Sequence, residues 1–284
     1  NGASGPVTEA LVSRLEGTHK VLFPEIDGTF PNHHPNPVDP GTLDILRREV
    51  AAAKADLGIG FDGDGDRIGI IDAKGRQVPG DLLTAFLAQD VAARHPGAPI
   101  LLDVKSSESA LRLIESSGAS AQIWKTGHSH MKKRMKELGA PLAGEMSGHI
   151  FIGDGYLGFD DAIYAGARIV TQMIRGGQSI TAFMDSLPPQ NATPELRIDC
   201  PDTEKFAVMD RIREHVFASH NPDDVNVIDG VRVRANRGWW LIRASNTEAA
   251  LVARAEAEDK AALDGLLGDI EAVLGAAGLA WVRP

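Results

Sequence analysis

The sequence predicts an α/β protein over residues 1–188, with mixed, mostly parallel sheets between helices, followed by a smaller α+β domain over residues 189–284. Three observations carry this reading. Short apolar runs alternate with stretches of helical spacing through the first two thirds of the chain. A proline-rich connector, "SLPPQNATPE" at residues 186–195, then breaks that rhythm. Beyond it, strand-like runs follow one another closely, the order expected of an antiparallel sheet.

The first segment, residues 1–76, opens with "PVTEALVSRLEG", where Pro6 suits a first helical turn and Gly17 a stop. "HKVLFPE" (19–25) reads as a strand, "GTLDILRREVAAAKAD" (41–56) as a helix and "LGIGF" (57–61) as a short apolar strand. "RIGIIDAKGRQV" (67–78) reads as a hairpin turning on a glycine. After Pro79 the cycle restarts over residues 77–188, as a second version of the same unit. Helices are expected at 81–95, 108–118, 129–139 and 160–174, with strands at 99–104, 121–125 and 141–145. Past the connector come the strand "LRIDC" and the helix "EKFAVMDRIREHVFA". Strands around "GVRVR", "WWLIRA" and "ALVARAEA" and a last helix complete the third domain, residues 189–284.

Composition limits the function classes. A formal charge of −10 argues against a general nucleic-acid or acidic-membrane binder, both of which need a basic surface. The single cysteine, Cys200, cannot form an internal disulfide and fits a reducing, cytoplasmic compartment. No apolar run reaches transmembrane length, and the start lacks the regions of a signal peptide. The chain opens without methionine, in what reads as the middle of a strand-to-helix turn, so it is expected to be a fragment.

Four loops carry chemistry. "GFDGDGDR" (60–67) sets Asp62, Asp64 and Asp66 at alternate positions with glycines between. Two carboxylates about 4 Å apart repel by roughly 4 kcal/mol at an effective dielectric near 20, so such a cluster calls for a cation or free solvent. Hard cations such as Mg²⁺ prefer this oxygen donor set. An EF-hand fails on position: its sixth residue would be Arg67 rather than glycine, and its twelfth Ala73 rather than glutamate. The flanking apolar strands weigh against a merely solvated turn.

"GEMSGH" (144–149) offers Glu145, Ser147 and His149, a mixture of donors and acceptors that suits a polyol, or equally a polar turn. "RASNTE" (243–248) offers Arg243, Ser245, Asn246 and Thr247, which suit a phosphate, or a hydrophilic hairpin turn. Lys105, ending "LLDVK", and His128, in "KTGHS", are proton carriers or phosphate contacts, or plain surface residues.

Together these motifs resemble the α-D-phosphohexomutase superfamily, and within it the phosphomannomutase/phosphoglucomutase branch. "FPNHHPNP", "GFDGDGDR", "DVK", "WKTGHS", "GEMSGH", "GFDDAIYA", "DGVRV" and "RASNTE" stand in the family's order across essentially the whole chain. Met146 favours the mannose/glucose branch over the glucosamine branch, where glutamine is usual. The resemblance implies tandem phosphohexomutase α/β domains, here a partial second domain (1–76) and a third (77–188). A TATA-binding-protein-like α+β domain (189–284) follows, and a first domain bearing the family's phosphoserine lies outside the chain.

It further implies interconversion of mannose and glucose 1-phosphate with the 6-phosphate through a 1,6-bisphosphate. Mg²⁺ would sit on Asp62, Asp64 and Asp66, with Arg67 beside the phosphoserine. Glu145, Ser147 and His149 would hold the sugar's 3- and 4-hydroxyls, and Arg243, Ser245, Asn246 and Thr247 the non-reacting phosphate. Lys105 and His128 would move protons near the reacting oxygen. A monomer, inactive alone, with no nucleic-acid or membrane partner, is the expectation. Phosphoglucosamine mutase and a non-catalytic sugar-phosphate-binding fragment are the alternatives.

Three decoys reduce to structure. "ASHNP" (218–222) matches the family's nucleophile motif, but Ser219 follows a helix and precedes a turn, downstream of all the α/β loops. His33 and His34 are neighbours that face opposite ways in extended backbone, so they are poor joint ligands. Asp160 and Asp161 stand at a helix start and read as caps.

Overall fold

The computed structural model describes residues 1–189, 191–235, 237–281 and 283. Contacts divide the chain into two units, Asn1–Leu187 and Pro188–Pro284. In the first, α1 (Gly5–Val12) carries its proline in the first turn but stops at Ser13, well short of Gly17. The strand expected at 19–25 does not form, and Phe23 adopts a left-handed φ of 53°. Apolar composition alone does not make a strand: a ladder needs a neighbour to take its N–H and C=O groups, and this segment pairs with none among the described residues.

α2 (Asp44–Ala53) lies on β1 (Leu57–Phe61), with Leu43 and Val50 packed on Ile71. The approach is close because Gly58 has no side chain. A Cβ there would stand 2.6 Å from Val50 Cγ2 and 2.9 Å from Leu46 Cδ1. β1 runs antiparallel to β2 (Ile68–Asp72), which pairs with β3 (Gln77–Val78). Parallel pairing is therefore absent from this sheet. Its links, residues 62–67 and 73–76, are hairpin lengths, whereas a parallel crossover needs about a dozen residues.

Parallel strands appear in the next sheet. α3 (Gly80–Arg94) leads to β4 (Pro99–Asp103), α4 (Glu108–Ser116), β5 (Ser120–Trp124), α5 (His128–Leu138) and β6 (Leu142–Gly144). β4 is parallel to both β5 and β6, and β7 (Ile150–Ile152) closes the order β5-β4-β6-β7 antiparallel to β6. α6 (Ala162–Gly176) and α7 (Ile180–Asp185) complete the unit. Sequence reading foresaw neither β7 nor α7. β7 is three uniformly buried residues with no alternation to read.

α3 is apolar on nearly every side and is buried accordingly. One core joins Ile68, Ile70 and Val78 of the hairpins to Leu83, Phe86, Ile100, Leu102, Ile152 and Ile169. Val78, just past residues 76 and 77, thus belongs to a core shared with the second sheet.

In the second unit come β8 (Asn191–Ala192), β9 (Leu196–Asp199), α8 (Lys205–Ser219), β10 (Val225–Asn226), β11 (Val231–Ala235), β12 (Gly238–Ala244), β13 (Ala250–Ala257) and α9 (Lys260–Ala276). Of the proline-rich connector, Gln190 lies outside the described residues. All pairings are antiparallel, in the order β10-β11-β12-β13-β8 with β9 also on β13, as expected for an α+β domain. Ile212 and Val216 of α8 and Ile270 and Leu274 of α9 pack on Val233, Trp240, Ile242 and Ala253. Alternation sends Trp239 to the other face, where the Arg232 guanidinium stacks 3.7 Å from its ring. Among the described residues no helix is long and apolar enough to cross a membrane.

Asp154 ties the end of α3 to α6. Its carboxylate takes Arg94, His95 Nε2 at 2.9 Å and Arg168 Nη2 at 3.0 Å. Burial raises its pKa, but these partners outweigh that and hold it well below the usual range. A depressed folded pKa gives stability that is present above the unfolded value near 4 and lost as pH falls. Asp154→Asn is expected to cost about 1–3 kcal/mol at pH 7, and the gap from wild type to narrow at pH 3. Urea melts at both pH values check this; an unchanged gap would count against the ion cluster.

Candidate functional site

The aspartate loop is the turn of the β1–β2 hairpin, and it is built by one of its own carboxylates. Asp62 Oδ1 accepts the N–H groups of Gly65, Asp66 and Arg67 at 3.0–3.1 Å, and Oδ2 accepts Arg67 Nε at 2.8 Å. Burial pushes the Asp62 pKa up, but the Arg67 guanidinium, the Asp66 side chain and the Arg67 N–H together hold it below the ordinary value. Neighbours pin the loop further. Ala3 N donates to Gly63 O at 2.9 Å and Ala162 N to Gly65 O at 3.0 Å.

Asp62, Asp64 and Asp66 each bring an oxygen within 4.8 Å of the others. Asp66 is pushed up to about 6, chiefly by burial, then by its hydrogen bond to Asp62 and the charges of Asp62 and Asp64, against the pull of His149. Crowded carboxylates with only one guanidinium beside them are what a cation relieves. The all-oxygen donor set fits a hard divalent ion. Arg67, expected near a phosphoserine, holds Asp62 and reaches Asn36 Oδ1 at 3.2 Å.

The second loop is a tight turn between β6 and β7, closed by Gly148 N to Glu145 O and Glu145 N to His149 O. Glu145 is 2% exposed; Oε1 accepts Gly127 N at 2.8 Å and Oε2 the Ser147 hydroxyl at 3.1 Å. Burial, then repulsion from Asp103, raises its pKa. The two loops are sewn together: Ile68 N donates to Gly148 O at 3.0 Å, and Arg67 and His149 form an antiparallel bridge. Gly148 sits at φ +91°, and a Cβ there would come within 2.4 Å of Ile68 O.

His149 lands against the aspartate hairpin. Its Nδ1 is 3.1 Å from Asp160 Oδ2 and 3.7 Å from Asp66 Oδ2, and its ring lies nearly parallel to those of His128 and Phe151, with centroids 5.9 and 6.2 Å away. Burial lowers its pKa, but Asp160, Asp66 and Glu145 outweigh this and raise it. His128 opens α5, is 54% exposed, and approaches Asp160 Oδ2 at 3.5 Å and Lys132 Nζ at 3.2 Å.

Asp160 corrects the sequence reading. Asp161 caps α6 through Tyr164 N at 2.8 Å, but Asp160 turns into the cluster and accepts Lys132 Nζ at 2.9 Å. Asp161 has extended dihedrals, so its neighbour faces the other way. The alternation argument that separates His33 from His34 was available for this pair also.

Lys105 lies just past β4, with Nζ 4.0 Å from Asp103 Oδ2. Asp103 itself escaped sequence reading. Fully buried at the end of β4, it accepts Ser106 Oγ at 2.6 Å, Met146 N at 3.3 Å and Thr126 Oγ1 at 3.3 Å. A carboxylate ending an apolar strand was the available signal. Lys105 and Glu145 thus follow parallel neighbours β4 and β6 at their carboxyl ends, where open α/β sheets place their sites.

The second unit holds the arginine loop. Arg243 is 5% exposed, with Nε 3.1 Å from Asp229 Oδ2 and Nη2 making no hydrogen bond. Ser245 Oγ accepts the N–H groups of Thr247 at 3.3 Å and Glu248 at 3.1 Å, leaving Asn246 and Thr247 exposed at the tip. Lys205 Nζ braces the loop from beneath through Ser245 O at 2.8 Å. Ser219 ends α8 and donates its hydroxyl to His215 O at 2.8 Å, while Asn221 Oδ1 accepts Asp223 N.

Fold and site first define a class: an α/β protein with a candidate metal centre at its strand ends and a separate α+β unit. Comparison with known proteins is specific. The family models for "Phosphoglucomutase/phosphomannomutase" match as alpha/beta/alpha domain II over residues 1–75, alpha/beta/alpha domain III over 79–190 and the C-terminal domain over 195–273. The chain belongs to the phosphoglucomutase/phosphomannomutase family.

A Pseudomonas putida phosphomannomutase/phosphoglucomutase is 45% identical over 93% of this chain and 56% of its own length. A Neisseria meningitidis phosphoglucomutase is 38% identical over 96% of the chain and 59% of its own. A Burkholderia thailandensis family member of known structure superposes with a TM-score of 0.90 at 39% identity, covering 98% of this chain and 59% of that one. The chain therefore spans little more than half the length of these relatives.

Gly148→Ala is expected to force the two loops apart, lowering the melting temperature by several degrees, as about 1–3 kcal/mol of strain would. It should also weaken divalent-ion binding at the hairpin. Calorimetric titration with Mg²⁺ and a thermal melt check both effects; unchanged values would show that the bridge does not hold the site.

Proposed function

We propose that this chain carries the metal, sugar and phosphate loops of a phosphohexomutase that interconverts the 1- and 6-phosphates of mannose and glucose through a 1,6-bisphosphate. The observation that carries the proposal is the bridge between Arg67 and His149, which sets a carboxylate metal loop directly against a buried Glu–Ser–His loop. The 45% identical relative named phosphomannomutase/phosphoglucomutase supports the substrate class.

Asp62, Asp64 and Asp66 would hold Mg²⁺, which when bound neutralises charge on a transferring phosphoryl group and its attached oxygens. Arg67 keeps Asp62 ionised and fixed. Glu145, whose oxygens already accept Gly127 N–H and the Ser147 hydroxyl, presents an acceptor to a sugar hydroxyl, and Ser147 and His149 present partners for the next. A grip on O3 and O4 leaves C2 unread, so mannose and glucose both fit. Lys105 and His128 are the proposed proton carriers, one buried at a strand end and one exposed at a helix start.

Arg243, with an unbonded Nη2, would take the non-reacting phosphate by charge-assisted bonds, aided by Ser245, Asn246 and Thr247. The phosphoserine is assigned to no residue here: the Ser219 hydroxyl is already donated to a helix carbonyl.

Two outcomes test this. In an active phosphohexomutase containing this chain, Arg243→Ala should weaken hexose-phosphate binding by roughly ten- to a hundredfold, as loss of about 1.5–3 kcal/mol implies, and leave Mg²⁺ affinity unchanged. Equal loss of both by calorimetry would count against the assignment. The 284 residues alone, given glucose 1-phosphate and Mg²⁺, should form no 6-phosphate; robust turnover would restore Ser219 as nucleophile.

A further inference from the structure

We propose that Lys205 is the positioning residue of the arginine loop: its buried ammonium holds the loop's carbonyls from beneath and so turns the loop's donors outward, toward a phosphate dianion. The inference rests on the phosphate reading of Arg243, Ser245, Asn246 and Thr247 given above, and adds to it a residue that touches no ligand. Lys205 opens α8 and is 7% exposed. Its Nζ donates to Ser245 O at 2.8 Å and to Glu248 O at 3.2 Å, one on each side of the tip, and meets Asp202 Oδ1 at 2.7 Å. All three ammonium protons thus have acceptors.

Closing the hairpin does not require it. β12 and β13 pair in register from Gly238↔Ala257 to Ala244↔Leu251, and Ser245 N donates to Ala250 O at 2.9 Å. Taking an ammonium out of water costs free energy that a turn already closed by its ladder does not need. What the ammonium adds is direction. A trans peptide is planar, with its N–H opposite its C=O, and among the described residues no peptide bond is cis. Drawing the Ser245 C=O down onto Lys205 therefore sends the Asn246 N–H the other way, to the exposed side of the loop.

The rest of the loop follows the same polarity. Ser245 Oγ accepts the N–H groups of Thr247 at 3.3 Å and Glu248 at 3.1 Å. A hydroxyl has two lone pairs and one proton, so with both lone pairs engaged its proton is left to donate. Arg243 Nη2 makes no hydrogen bond. Glu248, the one acid of the loop, has both carboxylate oxygens on Arg197, at 2.8 and 3.0 Å. Guanidinium, hydroxyl and amide donors thus stand together while the nearest acceptors, two carbonyls and that carboxylate, are already taken. Such a set suits an anion.

The test compares Lys205→Met and Arg243→Ala in an active phosphohexomutase containing this chain. Lys205→Met keeps the apolar stem and removes the ammonium. It should raise KM for glucose 1-phosphate about tenfold, as loss of a charged hydrogen bond does. It should leave kcat within about threefold, because a grip on a phosphate that does not react is lost equally from substrate and transition state. Loss of a merely structural contact would instead lower kcat through the folded fraction and leave KM alone, and that pattern overturns the proposal. So does a wild-type KM in Lys205→Met where Arg243→Ala raises it. A wild-type KM in both variants overturns the phosphate reading itself, and the role of Lys205 with it. Should Lys205→Met fail to fold, ¹H–¹⁵N spectra of the wild-type protein decide. Inorganic phosphate must move the Asn246 amide downfield, and an unmoved resonance refutes the proposal.

Discussion

Like charge held close is the constraint on which the first unit depends. Asp62, Asp66, Asp103, Glu145 and Asp160 all serve the loops at one end of its strands, and all but Asp66 are buried. Such a set is tolerable only because each carboxylate is answered separately. Backbone N–H groups and Arg67 answer Asp62, hydroxyls and an amide answer Asp103, Gly127 and Ser147 answer Glu145, and Lys132 answers Asp160. Asp66 is the one left under-compensated, with a pKa pushed up to about 6, and it belongs to the candidate metal triplet.

Backbone geometry makes this arrangement affordable to fold. The hairpin loop does not hang free: Ala3, Ala162 and Gly148 take or give a hydrogen bond on its flanks, and Asp62 closes it from within. Two hairpin turns, one between β1 and β2 and one between β6 and β7, therefore act as a single rigid piece. Their glycines are where backbone approaches backbone, with Gly148 beside Ile68 O the clearest case. A flexible pair of loops would let the carboxylates spread into solvent and lose the crowding that suits them to a cation.

Legibility from sequence followed the range of the interactions concerned. Helices and strands of ordinary length were readable because their apolar periodicity is local, and the glycine-spaced aspartates announced themselves for the same reason. Segment 19–25 misled because a strand's existence depends on a neighbour that composition does not reveal. The hairpin over residues 67–78 was legible from its glycine turn, whereas the antiparallel pairing of β1 with it was not, because link length rather than strand composition decides direction. Asp160 was hidden by its proximity to a true cap, and Asp103 by the lysine two residues on, which drew the functional reading of the same strand end.

The amino-acid order alone determined the α/β and α+β composition, the candidate metal triplet, the Glu–Ser–His and arginine loops and the family, since each is written in residues close together along the chain. Only the folded chain decided that the triplet and His149 share one wall, that Asp160 and Lys132 complete it, and that Asp103 anchors the turn carrying Glu145. Those partners lie tens of residues apart. What joins them is a backbone bridge and a buried carboxylate, interactions that depend on distance in space and leave no periodic trace in sequence.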